Sequence, residues 1–380
     1  LNAYPTAIPD GMWWTREGVW CGGNITIEAF SDWALQSTPN LNSCPGLPWV
    51  GMGLYTVESV IREQPEWLRD AVMERIRARL FYNFEQLVSM SPLQLAQSGL
   101  KDVVRVFVKN EPITEKKVLA HRERLIMNCG LTDILCDRIT CDSLYAVEIV
   151  NWASCPSKPG MGLDDESVQN LMEHLPGSPS LATSADASAF DFHVKTWQLI
   201  DTACIEAQQY GVSLESDLGR LLVASAWVTC NKVYALPNGT LYQQTNHGVQ
   251  ESGGRGTAPR NSKARVYMAF LCGATAAIAM GDDSLEWGPD FTASCIQYDE
   301  IGQSVEAALV PPPYQVEFCS HHFKKEANGR WIAVPLNWHK SLFRLLSHTP
   351  NPDLRRAFEY EMRHSPNLAR MKEFLDLEWK

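Results

Sequence analysis

The chain has 380 residues, with 33 Lys and Arg against 44 Asp and Glu, for a formal net charge of −11. That length supports a large core in more than one subdomain, and the acidic balance excludes a protein that is basic all over while leaving room for a basic channel. Eleven cysteines without a small secreted framework exclude a disulfide-stapled fold, no signal peptide is visible, and the longest apolar run, Val266 to Met280, is too short to span a bilayer.

Residues 1 to 60 are rich in Trp, Gly and Pro and read as irregular packing segments. Leu1 stands where an initiator Met is expected, which points to a polyprotein product or a trimmed chain. Glu58 to Glu85 carries a strong helical pattern, interrupted near Pro65. Next comes a basic strand–loop–strand: Lys109-Asn110-Glu111-Pro112, then Lys116, Lys117, Arg122 and Arg124. Cations spaced in this way can clamp phosphates, with Arg offering a bidentate fork. The plain alternative is a solvated charged loop, softened by Glu115 and Glu123.

Asn151 to Gly162 reads as a loop and Asp164 to Leu175 as a helix. Ser180 to Ala185 is small and strand-like, and Val194, Trp197, Leu199, Ile200 and Cys204 recur at helical spacing. Asp186 therefore leaves the end of a strand, and Asp191 starts a helix. Alone, they read as a turn acid and a helix N-cap. The Gly-rich loop from Glu251 to Ser262 follows and runs into a helix through Val266, Ala269, Phe270 and Gly273. It lacks the Gly-Lys-Ser/Thr of a phosphate-cradling loop. Its polar groups at Ser252, Thr257 and Asn261 suit a sugar instead. Thr257 and Asn261 share a helix face, and with Asp191 they supply donors and acceptors for a ribose 2′-hydroxyl. From Ser252 to Met280 there are four cations (Arg255, Arg260, Lys263, Arg265) and no acid, a run that can line a channel.

The most informative triplet is Gly281-Asp282-Asp283. It sits between Ala274–Met280 and Ser284–Trp287, which reads as a β-hairpin with two carboxylates at its tip. Adjacent acids repel unless a cation holds them, and a pair of Mg²⁺ ions does so when the substrate is a triphosphate. Asp186 lies 96 residues upstream of Asp282, enough for two adjacent antiparallel strands joined by an intervening subdomain. Further on, Pro311-Pro312-Pro313 marks a connection before a strand at Glu317–Phe323. Cys319, His321 and His322 within it read as packing and hydrogen-bonding groups in preference to a zinc site. Lys324, Lys325, Arg330, Lys340 and Arg344 form a second basic run, and Leu354 to Trp379 is mostly helical.

Taken together, these residues resemble the RNA-dependent RNA polymerases of positive-strand RNA viruses. Asp186 and Asp191 match motif A, Ser252-Gly253 with Thr257 and Asn261-Ser262 match motif B, and Gly281-Asp282-Asp283 matches motif C. Lys109 to Arg124 matches motif F. Ser43-Cys44-Pro45-Gly46-Leu47-Pro48-Trp49 looks like motif G, and Glu317-Phe318-Cys319-Ser320-His321-His322-Phe323 like motif E. The wording of motifs E and F is most similar to sobemovirus-like and barnavirus-like enzymes. The resemblance covers about residues 40 to 345.

It implies an α+β right hand with fingers over 1–143, palm over 144–222, a fingers insertion at 223–241, palm again over 242–335, and a small helical thumb over 336–380. A thumb that small points to further residues beyond the C terminus. It implies template-directed RNA synthesis from NTPs, with Mg²⁺ (Mn²⁺ can substitute) on Asp186, Asp282 and Asp283. Lys109, Lys117, Arg122, Arg124, Asp191, Ser252, Thr257 and Asn261 would bind the NTP. Ser43, Gly46, Pro48, Gly253, Cys319, Ser320 and Lys324 would contact template and primer. The implied partners are RNA template and primer, other viral replication proteins and a protein primer linked to the genome. The implied location is the host cytoplasm, in membrane-associated replication complexes.

One motif departs from the pattern. Motif D usually carries a lysine as general acid for pyrophosphate. Here Tyr298 to Ala307 has that look, yet no lysine lies between Lys263 and Lys324, and Glu306 stands near the expected place. Lys324 or Lys325, His321 or His322, or water are the alternatives. Two other classes compete with the main reading. A reverse transcriptase-like palm polymerase would lack the Ser-Gly…Thr…Asn set and carry a bulky residue near Asp191. A catalytically weakened RNA-binding protein would follow from the missing lysine, against the retention of all three acids.

Overall fold

The structure is a computed structural model describing residues 4–111, 113, 115–121, 123–288 and 290–379, without the side chains of Lys116 and Lys117. It divides into two compact units. The first holds residues up to Lys109, His121–Val150 and Ala189–Ala264; the second holds Asn110–Ala120, Asn151–Ser188 and the chain from Arg265 on.

Among the described residues the strands in chain order are β1 (Val104–Val108), β2 (Leu125–Asn128), β3 (Thr183–Ala187), β4 (Val233–Ala235), β5 (Leu241–Gln243), β6 (Ala276–Met280), β7 (Asp283–Trp287), β8 (Val305–Ala307), β9 (Val316–Phe318), β10 (His321–Lys325) and β11 (Trp331–Pro335). The first unit has one sheet in the order β2-β1-β4-β5, in which only β1 and β4 run parallel. Its helices include Pro65–Phe81, Leu131–Val150, Thr196–Tyr210 and Asp217–Thr229. The expected helical region from Glu58 breaks at Gln64, between Val57–Glu63 and Pro65–Phe81, because proline is tolerated only at the start of a helix.

A buried ionic cluster holds this unit together. Asp133 accepts from Arg75 and Arg79 at 2.6 Å each, Arg75 also reaches Asp102 at 2.6 Å, and Lys101 reaches Glu251 at 2.8 Å. Three cations around Asp133 outweigh its burial and hold its carboxyl well below the usual range. A second cluster corrects a sequence expectation. Lys263 is buried against Glu148 at 2.7 Å, and Arg260 against Glu206 at 3.5 Å. Arg255 pairs with Asp142 at 2.6 Å. These cations neutralise carboxylates from distant parts of the sequence instead of lining a channel.

The second unit contains two antiparallel sheets, β6-β7-β3-β8 and β11-β10-β9. Helix Asp165–Glu173 covers them, capped by the Asp164 carboxylate accepting from Ser167 N at 2.9 Å. Ile278, Leu285, Trp287, Val316, Phe318 and Phe323 share one core with Val168 and Leu171 of that helix. Strand alternation explains this: Leu285 and Trp287 turn into the core, and Ser284 and Glu286 face the other way. The C-terminal region forms helices Trp338–Leu346, Pro352–Glu361 and Leu368–Glu378, which bury Leu345, Phe358, Met362 and Leu375 together. No helix among the described residues is long and apolar enough to cross a membrane.

Candidate active site

The expected hairpin is present. Met280 pairs with Asp283, so Gly281-Asp282 is a two-residue turn. Gly281 has φ +65°, as a turn with a left-handed first central residue requires. Behind the turn lies Arg265, fully buried on helix Thr257–Leu271. Its Nε donates to the Asp282 carbonyl at 3.2 Å, and its guanidinium pairs with Glu286 at 3.0 Å. Tyr298 closes the group, accepting from Arg265 and donating to Glu286, each at 2.9 Å. The turn is thus fixed by a neutralised buried group, and its two carboxylates are left outward.

β3 brings Asp186 to the same place. It pairs antiparallel with β7, Ala185 opposite Ser284, so the next step of the ladder sets Asp186 opposite Asp283. Directly opposed residues share a face. Asp186 and Asp282 are exposed and Asp283 is half-buried. Burial, with Asp282, Asp186 and Glu317 close by, pushes the Asp283 carboxyl up to about 7.

These residues fit divalent metal. Hard oxygen donors at a strand end, whose mutual repulsion Arg265 offsets only in part, are the chemistry that Mg²⁺ answers. Among the described residues, no three His, Cys, Asp or Glu converge tightly enough to hold an ion alone. Mg²⁺ keeps several waters and uses one or two carboxylates plus substrate phosphates, so a closed cage is not required.

On the other side of β3, Glu306 of β8 pairs directly with Asp186. The residue noted near the missing motif D lysine is therefore an acid on the same face. Lys324 and Lys325 sit on β10, over the rings of Tyr314 and Trp331 at 5.9 Å each. Each strand residue advances the chain by about 3.3 Å, so both are carried away from the β9–β10 turn. That turn is Cys319-Ser320, with φ +51° and +57°. Burial, with Asp283 and Asp282 nearby, pushes the Cys319 thiol up, which sets the turn beside the acids. His321 Nδ1 contacts the Cys319 carbonyl at 2.8 Å, and His322 contacts Glu317 at 3.1 Å. Lys324→Leu and Lys325→Leu are expected to leave the single-nucleotide incorporation rate at saturating NTP within about twofold, while weakening RNA binding and its salt dependence. A hundredfold slower chemical step in either variant would return the general-acid role to these lysines.

The first unit holds the polar set. Asn261 Nδ2 donates to Asp191 Oδ1 at 2.9 Å, and the Asn261 carbonyl oxygen is buried with no partner among the described residues. The Ser252 hydroxyl accepts from Met127 N at 3.1 Å. Gly253 lies so close to Met127 that a Cβ would meet its carbonyl oxygen at 2.2 Å. The Thr257 hydroxyl lies 2.7 Å from the Glu251 carbonyl and 2.8 Å from that of Gly254, so its proton closes the loop and only its lone pairs remain for a ligand. Asp191 is the second residue of the short helix Phe190–His193 and is not its N-cap, which is Ala189.

In the motif F region, Lys109 N donates to the Arg124 carbonyl at 2.8 Å and extends the β1–β2 hairpin. The Lys117 side chain and Arg122 lie outside the described residues. In the motif G region, Ser43 Oγ donates to the Asn40 carbonyl at 2.7 Å, Pro48 is exposed, and Gly46 (φ +71°) packs where a Cβ would meet the Cys129 carbonyl at 2.5 Å.

Comparison with known proteins decides the family. The RNA-directed RNA polymerase of Mushroom bacilliform virus is 33% identical over 349 residues, covering 87% of this chain and 81% of that protein. The chain belongs to the viral RNA-directed RNA polymerases. A family model described as viral RNA-directed RNA-polymerase matches residues 220–307 of the polymerase. Protein P1-P2 of Turnip yellows virus is 34% identical over 344 residues, and Replicase polyprotein P2AB of Southern cowpea mosaic virus 31% over 388. The chain spans only 32% and 38% of those two longer proteins. The expected barnavirus-like and sobemovirus-like character is borne out. In fold, the polymerase matches the Sicinivirus 3Dpol RNA dependent RNA polymerase with a TM-score of 0.63 over 97% of this chain and 78% of that one, at 15% identity. The α+β right hand expected from sequence is the fold observed. The polymerase is an enzyme of viral RNA synthesis, which removes the reverse transcriptase reading.

Sequence reasoning missed the grouping of Arg265, Glu286 and Tyr298 under the Gly281-Asp282 turn, and the Lys101–Glu251 pair that anchors the loop before Ser252. Only the polarity of Glu286 within an otherwise core strand could have signalled the first group.

Proposed function

We propose that this polymerase joins NTPs by two-metal nucleotidyl transfer on Asp186 and Asp282, with Asp283 in support. The observation that carries this reading is the β3–β7 register, which opposes Asp186 to Asp283 beside the Gly281-Asp282 turn. Mg²⁺ held there would lower the pKa of a primer 3′-hydroxyl and neutralise the triphosphate. Asp186 and Asp282 orient the reacting oxygens, and the Arg265 group keeps their strand ends rigid. Lys109, Lys117, Arg122 and Arg124 grip the phosphates. Asp191, Thr257 and Asn261 check the ribose, with Ser252 and Gly253 shaping the loop. Template and primer run along Ser43, Gly46, Pro48, Cys319, Ser320 and Lys324. In this reading the hand is divided as fingers over 1–143 and 223–241, palm over 144–222 and 242–335, and thumb over 336–380. RNA, a genome-linked protein primer and other viral replication proteins are its partners, at membrane-associated complexes in the host cytoplasm.

Ribose reading has a direct test. A site built to hydrogen-bond a hydroxyl rejects the analogue lacking it, because its own polar groups go unpaired. Asn261→Ala or Asp191→Ala is therefore expected to lower the NTP/dNTP ratio of kcat/KM by about tenfold or more, with a smaller loss of dNTP use. Wild-type ratios in both variants would contradict it.

A further inference from the structure

Lys232 is fully buried in the first unit and pairs with no carboxylate among the described residues. Its ammonium donates instead to three backbone carbonyls: Thr229, Gly248 at 3.3 Å and Val249 at 2.6 Å. Burial pulls its pKa down; the field of nearby Glu251 offsets part of that cost, and the three carbonyls are its direct hydrogen-bond partners. What they belong to is unusual. Val249 has φ +65°, a left-handed conformation that a β-branched residue resists. Gly248 precedes it at φ +122°, with its Cα so near Val194 that a Cβ would meet the Val194 carbonyl at 2.4 Å. Outliers of this kind persist only where the surroundings over-determine them, and they cluster at functional sites.

The surroundings do over-determine this one. Gly248 N donates to the Cys230 carbonyl at 3.1 Å, Val249 N to Val194 at 2.8 Å and Gln250 N to Asp191 at 2.8 Å. Glu251 is held by Lys101 at 2.8 Å, and Ser252 then meets Met127 N at 3.1 Å. The left-handed residue turns the chain so that the next three can each reach their partner. An extended Val249 would point Gln250 and Glu251 elsewhere.

We propose that Lys232 is a positioning residue for nucleotide addition: it clamps Val249 in the left-handed conformation and so sets the Ser252-Gly253 loop and its tie to Asp191. This deepens the ribose-reading site and rests on that reading for its effect on substrate. The clamp itself is a property of the loop and can be read without substrate.

The test compares wild type, Lys232→Met, Val249→Gly and the double variant. Two quantities are read: amide exchange over 249–254, and the single-turnover incorporation rate with its NTP concentration dependence. Lys232→Met removes the three donors while keeping the stem. It is expected to speed exchange in that loop by about tenfold or more and to lower the saturated rate by a similar factor, with KM changing less. Exchange in β1 of the same unit should stay as in wild type, which separates a released loop from general unfolding. Glycine takes the left-handed conformation freely, so Val249→Gly on the Lys232→Met background should restore both quantities in large part. Unchanged loop exchange and rate in Lys232→Met, or losses that Val249→Gly does not restore, would overturn the proposal. If Lys232→Met does not fold, recovery of folding in the double variant supports the clamp, and failure of both overturns it. Asn261→Ala leaves loop exchange unchanged, so failure of the ribose reading shows separately from failure of the clamp.

Discussion

Asp282→Asn is expected to stop RNA synthesis while leaving the fold intact. The side chain is exposed at a two-residue turn, and the turn is held by its backbone: the Asp282 carbonyl accepts from Arg265, and Met280 and Asp283 close the hairpin. Replacing one carboxylate oxygen by an amide disturbs none of these contacts. It does remove half the charge at the turn, and with it stabilisation of the transition state worth several kcal/mol. Each 1.36 kcal/mol is tenfold in rate, so a drop of roughly a thousandfold or more follows. Circular dichroism and the unfolding midpoint should match wild type. A folded variant with normal incorporation would remove Asp282 from the metal site.

Arg265→Met is expected to give the opposite signature, a large loss of stability first and of activity through it. The guanidinium is fully buried, between Glu286 at 3.0 Å, the Tyr298 hydroxyl at 2.9 Å and the Asp282 carbonyl at 3.2 Å. Methionine fills the stem's volume but leaves Glu286 as a buried charge without its cation. Breaking a buried pair from one side costs about 3–5 kcal/mol, whereas replacing both partners by apolar groups is often near neutral. Urea unfolding should therefore show a loss of about that size for Arg265→Met, with a substantial part regained in Arg265→Met/Glu286→Met. The double variant should still incorporate slowly, because the Asp282 carbonyl has lost its donor. A single variant as stable as wild type would show that Arg265 does not hold the turn.

These contrasts mark where the sequence was legible. Gly281-Asp282-Asp283 between apolar runs could be read as a hairpin because two-residue turns demand glycine and strands demand alternation; both are local rules. The Asp186 strand was readable for the same reason, although it begins at Thr183 and not at Ser180, since Pro179–Leu181 forms a turn of 3-10 helix. The ribose set was readable in part. Asn261 does meet Asp191, but Thr257 spends its proton on the loop, which its spacing from Asn261 could not reveal.

The charges were least legible. Arg260, Lys263 and Arg265 read as a basic stripe because no acid lies near them in sequence. Their partners come from 21 to 123 residues away, on Asp137, Glu148, Glu206, Glu286 and Tyr298, and only the fold brings these together. Lys232 is the same case taken further, since its partners are backbone carbonyls with no side-chain signature at all. Glu306, opposite Asp186, adds one more acid to the face where metal is expected.

In the proposed mechanism this chain extends an RNA primer with ribonucleotides through metal held by the motif A and motif C carboxylates. Primer extension on a homopolymer RNA template tests it most directly, run with the complementary ribo- or deoxyribonucleotide, in Mg²⁺ and in EDTA. Extension is expected with the ribonucleotide in Mg²⁺, little or none with the deoxyribonucleotide, and none in EDTA. Extension that persists in EDTA, or that uses both sugars equally, would contradict it.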